Sequence, residues 1–188
     1  MAQLTAFVPL TASTWNDFEQ VMGCDQGGEG GCWCTWWRVA RSEWERLGRT
    51  GRKHLIQQLA FEGRPLGVIV YSEGVAVGWC AVAPAEDYPV LARSPVVAPS
   101  MQAGDWFVSC FFVKAGHRRG GAMKRLLQHA VDYARAEGAR AIEACPRDEV
   151  AGSGSSDLFV GKTDVFLALG FKQVHRKKAD RPLLRLTL

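Results

Sequence analysis

The sequence predicts an α/β fold, a single domain built on a mixed sheet, and three stretches carry that prediction. "PLGVIVYSEGVAVGWCAVAP" (65–84) is two β-rich runs around "SEG", the mark of a hairpin. "WFVSCFFV" (106–113) is apolar on both faces, as a doubly covered strand should be; a periodic helix and the apolar run "RAIEACP" follow, a βαβ unit over 106–145. "FKQVHR" and "RPLLRLTL" then close the chain as a second pair of strands. Hairpins combined with one crossover make the sheet mixed.

The remaining elements follow in order. Residues 11–22 open with Ser and Thr capping residues and set Trp15, Phe18 and Met22 on one face, a first helix that "GCDQGGEGG" breaks. Leu55, Ile56, Leu59 and Ala60 repeat the helical pattern over 52–62, which Gly63 and Pro65 end. Gly78, inside a strand, marks a bulge or a close backbone approach. Four of the eight prolines lie between 84 and 99, so residues 84–104 read as a long loop, the kind that is functional or mobile. Met123, Leu126, Leu127, Ala130, Val131 and Ala134 form the apolar stripe of an amphipathic helix that Gly138 stops. After a Gly/Ser-rich loop, "KTDVFLALG" is a short helix.

The chain has 188 residues, 47% hydrophobic and 22% charged, enough for one substantial core, and no composition shift divides it. No apolar run is long enough to span a bilayer, and "MAQLTAFVPLTASTW" lacks the basic start and apolar centre of a secretory signal, so a cytoplasmic protein with no membrane association is expected. Its six cysteines are then expected to be reduced. A net charge of +4, with no basic stretch interleaved with aromatics, argues against a nucleic-acid partner.

The charge matters locally. "KAGHRRGGAMKR" (114–125) holds five Lys or Arg and no acid, between a buried strand and a helix start. Helix starts leave N–H groups unpaired at the positive end of the macrodipole, and Gly120 and Gly121 let an anion approach the backbone while His117, Arg118 and Arg119 add donors. A phosphate or pyrophosphate fits. A dinucleotide fingerprint is absent, and a Walker loop fails because Ser156 stands where its first glycine belongs.

The order "GWCAVAP", "CFFVKAGHRRGGAMKRLL", "VFLALGF" resembles the GNAT superfamily of N-acetyltransferases over residues 66–175. The family's acetyl-CoA motif, Arg/Gln-x-x-Gly-x-Gly/Ala, places Arg118 and Gly121 on matching positions and Met123 on a departing one. Main-chain amides make the contacts there, and Ala122 and Met123 supply them. The resemblance implies that the strand at 106–113 splays from the one at 140–145, with Phe111, Phe112 and Val113 holding the pantetheine arm by their backbone. It makes acetyl-CoA the acyl donor and implies transfer to a primary amine, of a small molecule or of a peptide. A non-catalytic acyl-CoA sensor is the alternative.

The family's usual proton carriers are missing. The tyrosine that serves as general acid falls on Phe166, expected at the cofactor, and the acidic base falls on Phe107. Asp105 and Glu143 are the candidate bases; Thr163 and Cys110 are weak candidate acids. Transfer by positioning alone is the other possibility.

"GGCWCTWWR" (30–38) is similar to a stretch in a bacterial branch of the family that has no settled acceptor. Trp33, Trp37, Trp79 and Trp106 could wall an acceptor site, with Arg38 anchoring a carboxylate, although most tryptophans in such a chain are core. Cys24, Cys32 and Cys34 lack zinc-ligand spacing, so no metal is expected. Relatives often dimerise through C-terminal strands, and "RPLLRLTL" could supply the edge of a homodimer.

Overall fold

The computed structural model describes residues 4–97, 100–118, 120–148 and 159–188. One seven-stranded sheet runs through them in the order β1-β2-β3-β4-β5-β7-β6. The strands are β1 (Leu4–Pro9), β2 (Gly67–Ser72), β3 (Val75–Pro84), β4 (Asp105–Val113), β5 (Ala141–Ala144), β6 (Lys172–Lys178) and β7 (Arg181–Thr187). β4 and β5 are parallel and each other neighbouring pair is antiparallel, which is the mixed sheet that the sequence predicts. Among the described residues four α-helices flank it: α1 (Trp15–Met22), α2 (Arg41–Phe61), α3 (Ala122–Ala136) and α4 (Thr163–Leu167).

Strand alternation divides the core into two layers. Val68, Val70, Val82, Val108 and Ile142 face α3, whose stripe Leu126, Leu127, Ala130, Val131 and Ala134 covers them. Ile69, Trp79 and Ala81 face the other way, against Trp15, Phe18, Val21 and Met22 of α1 and Ile56 and Ala60 of α2. Each large apolar side chain so buried contributes about 1.5–3 kcal/mol. On that second face residues 85–97 turn back, and Tyr88, Leu91 and Val97 pack over Phe107 and Leu183. The proline-rich segment is therefore a packed layer in this part, with Arg38 and Trp37 beside it.

Three features depart from the sequence reading, and at Gly78 one of its two alternatives holds. β1 has only one buried residue, Leu4, so its alternation is too weak to read. α2 begins at Arg41 rather than near 52, and Gly48, at φ 60°, interrupts it. Gly78 is a close approach, since a Cβ there would stand 2.9 Å from Val70 Cγ1 and 3.1 Å from the Phe112 carbonyl; the extra residue of the neighbouring bulge is Val77. β7, "RPLLRLT", is an inner strand with β6 outside it, so it cannot be the edge of a dimer. The edge is β6, almost wholly exposed and carrying Lys172, Lys177 and Lys178, side chains that discourage edge pairing. Among the described residues no helix is long and apolar enough to cross a membrane.

Candidate active site

The site begins where β4 ends. Arg118 Nε donates to the Val113 carbonyl at 2.8 Å and folds the chain back after a 3-10 turn at Ala115–His117. Gly120 (φ 67°) and Gly121 (φ 81°) are both left-handed, a conformation that only glycine adopts at no cost. Gly121 is the N-cap of α3, and a Cβ on it would meet nothing within 4 Å. The helix start therefore faces open space. Its first turn holds no acid and no side chain caps it. The Arg125 N–H, bonded to the Gly121 carbonyl at 3.1 Å, closes the first helical turn, so the amides of Ala122, Met123 and Lys124 precede that ladder. This cradle of amides fits a phosphate or diphosphate group. Arg119 lies outside the described residues.

Beside the cradle the sheet opens. β4 pairs with β5 only from Asp105↔Ala141 to Val108↔Ala144, then continues five residues further along β3 alone. The pairing with β3 slips between Val82↔Val108 and Ala81↔Cys110, which makes Ser109 the extra residue of a bulge at the parting point. A bulge bends its strand, and here it turns β4 away from β5. Beyond it, Phe111 and Val113 present backbone groups to the opened side, while Phe112 pairs with Trp79 on β3.

Two of those groups are occupied, the Val113 carbonyl by Arg118 Nε and the Phe111 N–H by the chain that follows β5. Phe111 N–H donates to the Phe159 carbonyl at 2.5 Å. The chain then passes over Phe166 at Gly161 (φ 87°), where a Cβ would stand 2.6 Å from Phe166 Cε2 and 3.0 Å from Phe111 Cε2. Phe166 is fully buried, edge-on to Phe111 and Phe171, so it is core beneath this crossing.

The candidate catalysts fare differently. Asp105 and Glu143 share one partner: Arg185 Nη1 lies 2.7 Å from Asp105 Oδ2 and 2.9 Å from Glu143 Oε1. Ser100 donates to Glu143, and the Gln102 N–H donates to Asp105. Both carboxylates are buried and bridged by Arg185, which ties them to the 84–104 segment, while Glu143 Oε2 has no hydrogen-bond partner among the described residues. Thr163 starts α4, where its N–H meets the Arg147 carbonyl and its hydroxyl adjoins Asp148. Arg176 and Thr163 hold the Asp148 carboxyl below its usual range. Cys110 alone among the candidates lies on β4 past the parting point, half-buried and facing α1.

The tryptophan wall is not there. Trp33 and Trp79 are fully buried with Trp15 and Phe18 in the α1 core, and Trp106 is on the opposite face against Tyr133. Trp37 packs under the proline-rich layer. Arg38 is not a free anchor either: Nη1 is 3.5 Å from Asp87 Oδ2 and the guanidinium lies over the Tyr88 ring. A polar open cavity of about 470 Å³ lies instead where α1 ends beside β4, lined by Gln20, Met22, Gln26, Phe112, Lys114 and Arg118 among others. Among the described residues no carboxylate lines it. Among the described residues no cluster of three or more His, Cys, Asp or Glu could hold a metal ion.

Solved structures share this fold. A PaiA N-acetyltransferase from Thermoplasma acidophilum, solved with coenzyme A, superposes with a TM-score of 0.56 at 10% identity over 97% of this chain and 98% of that one. Diaminobutyrate acetyltransferase EctA from Paenibacillus lautus, solved with L-2,4-diaminobutyric acid and coenzyme A, gives 0.53 at 14% identity over 100% and 96%. A GNAT family acetyltransferase from Brucella melitensis, solved with acetyl-CoA, gives 0.52 at 13% identity over 100% and 90%. At such identities these likenesses bear on the fold. No curated protein sequence matches the chain. The sequence model of the acetyltransferase (GNAT) family matches residues 33–153, which takes in the bulged strand, the glycine cradle and α3. The chain belongs to the GNAT acetyltransferase family.

Proposed function

We propose that the protein transfers the acetyl group of acetyl-CoA to the primary amine of a small molecule. The observation that carries this reading is the opening of β4 from β5 directly beside the uncapped, acid-free start of α3. The diphosphate would rest on the amides of Gly121, Ala122 and Met123, with Arg118 adding charge, and the pantetheine arm would follow the edge of β4 at Phe111 and Val113. For that, Phe159 must surrender the Phe111 N–H and Arg118 the Val113 carbonyl. The acyl carbon then lies near the bulge, within reach of an amine entering from the α1 side. Positioning of this kind accelerates an attack that in water requires two molecules to meet.

A small acceptor is supported by the size of the cavity at the end of α1, which is in the range of small-ligand sites. Lys114 and Arg118 on its wall, with no opposing acid among the described residues, favour an acceptor that also bears an anionic group. The diaminobutyrate acetyltransferase among the structural neighbours is an example of an enzyme acting on such a compound. The test is release of coenzyme A from acetyl-CoA in the presence of a panel of primary amines, with and without carboxylate or phosphate groups. Turnover with an anionic small amine is expected. Tight acetyl-CoA binding without turnover on any amine or peptide would make the protein a sensor instead.

A further inference from the structure

The bulge on β4 sets a hydroxyl where the sheet opens. Ser109 and Cys110 both turn to the α1 face: Ser109 reaches Tyr88, in the segment packed on that face, and Cys110 packs against the α1 core. Two consecutive side chains on one face are what an inserted residue produces, since regular alternation would send one of them to the α3 face. Ser109 is also the first residue of β4 beyond the last rung it shares with β5, Val108↔Ala144. The neighbouring Cys110 thiol is turned to the Phe111 carbonyl at 3.7 Å.

The Ser109 proton is committed. Its hydroxyl donates to Tyr88 Oη at 3.2 Å, and the two residues are 3% and 1% exposed, so the bond is shielded from solvent. Tyr88 is a fixed acceptor. Its ring stands edge-on to Phe107 with centroids 6.3 Å apart and carries the Arg38 guanidinium over its face at 4.7 Å. Arg38 is in turn 3.5 Å from Asp87, which Arg64 also holds. Burial raises the pKa of the Tyr88 hydroxyl, which keeps it neutral. With its proton given to Tyr88, the Ser109 oxygen offers lone pairs to the opening of the sheet, and their complement is an N–H donor.

We propose that Ser109 is a catalytic residue that accepts one N–H of the attacking amine, that Tyr88 acts through it as a positioning residue, and that the pair selects primary over secondary amines. The inference rests on the acetyl-transfer reading above, which brings the acyl carbon to this bulge. As the neutral amine attacks, its lone pair forms the N–C bond, and the bond from the acyl carbon to the coenzyme A sulfur breaks with its electrons leaving on sulfur. The nitrogen of a primary amine then carries two protons. One is held by the Ser109 oxygen and stays in the amide; the other passes to the departing thiolate, which leaves as a thiol. A secondary amine has a single N–H for both demands, and its extra carbon would face Ser109. Orientation of this kind needs no dedicated base, in keeping with phenylalanine at 107 and 166.

The test compares the most active primary amine of the panel with its N-methyl derivative, by the rate of coenzyme A release. The wild type should prefer the primary amine by about 100-fold or more in kcat/KM, because a site built around an N–H rejects the analogue that lacks it. Ser109→Ala should lower kcat/KM for the primary amine by about 10-fold or more and leave the N-methyl rate within about twofold of wild type, so the preference collapses. Tyr88→Phe keeps the ring, removes the acceptor and should shift the preference in the same direction. Acetyl-CoA affinity by calorimetry should stay at the wild-type value in both variants, which certifies that they fold. A bond that served structure alone would lower both rates alike. A preference unchanged in both variants, or a wild type that takes both amines equally, overturns the assignment while acetyl transfer stands. Absence of coenzyme A release from the wild type with any amine overturns acetyl transfer itself.

Discussion

The backbone N–H of Phe111 donates to the carbonyl of Phe159 across 2.5 Å, on the edge that β4 exposes once it has left β5. The bond depends on Gly161, which lets the chain lie against Phe166 with φ at 87°. Gly161→Ala introduces both strain and overlap, so the crossing should detach from β4. The expected result is an increase of about 10-fold or more in hydrogen exchange at the Phe111 amide, equivalent to at least ~1.4 kcal/mol of local stability. Unchanged exchange at that amide would mean that Gly161 does not hold the crossing in place.

Arg185 bridges two carboxylates whose side chains are 1% and 0% exposed. Arg185→Leu strands both, and removing one partner from a buried ionic cluster costs about 3–5 kcal/mol. Urea unfolding should register a loss of that size. Glu143→Gln, by contrast, should keep the wild-type pH–rate profile because Ser100 and Arg185 hold Glu143 as an anchor. A changed profile in that variant would restore it as a catalyst.

His129 stacks on Phe7 with ring centroids 3.7 Å apart. Burial lowers its pKa from 6.5, against the smaller opposing pull of Asp132. The unfolded chain therefore binds this proton at a higher pH than the folded one. The stability this group confers is present above 6.5 and is lost as pH falls from 6.5 towards the lower folded value. Unfolding free energy measured between pH 7.5 and 5.5 should decline with acidification, by about one proton's slope at most from this site. His129→Phe should flatten that part of the curve; an unchanged slope in the variant would assign the effect to other groups.

What the sequence revealed was local. The apolar run at 106–113, the left-handed glycines and the 3.6-residue stripe of α3 are each written within a few neighbouring residues, so the strand, the cradle and the helix could be read directly. The fates of Asp105 and Glu143 could not. They are set by Arg185, 80 and 42 residues away, and no local pattern announces that pairing. Likewise "CWC" shows two thiols but not that Trp79, 45 residues on, donates to the second. The tryptophans misled for a related reason, since a large aromatic serves a core and a binding wall equally well. The placement of Phe159 on β4 left no trace at all in composition or period.

The central claim is that the start of α3 holds the diphosphate of acetyl-CoA, and calorimetric titration of acetyl-CoA into the wild type, Gly121→Ala and Gly121→Glu tests it most directly. A Cβ at Gly121 meets open space, so both variants carry a similar backbone penalty from the left-handed φ, about 1 kcal/mol, and both should fold. Gly121→Ala should bind measurably, whereas Gly121→Glu, which sets a negative charge against the diphosphate, should bind too weakly to detect. Equal affinity in Gly121→Glu and the wild type would contradict the claim.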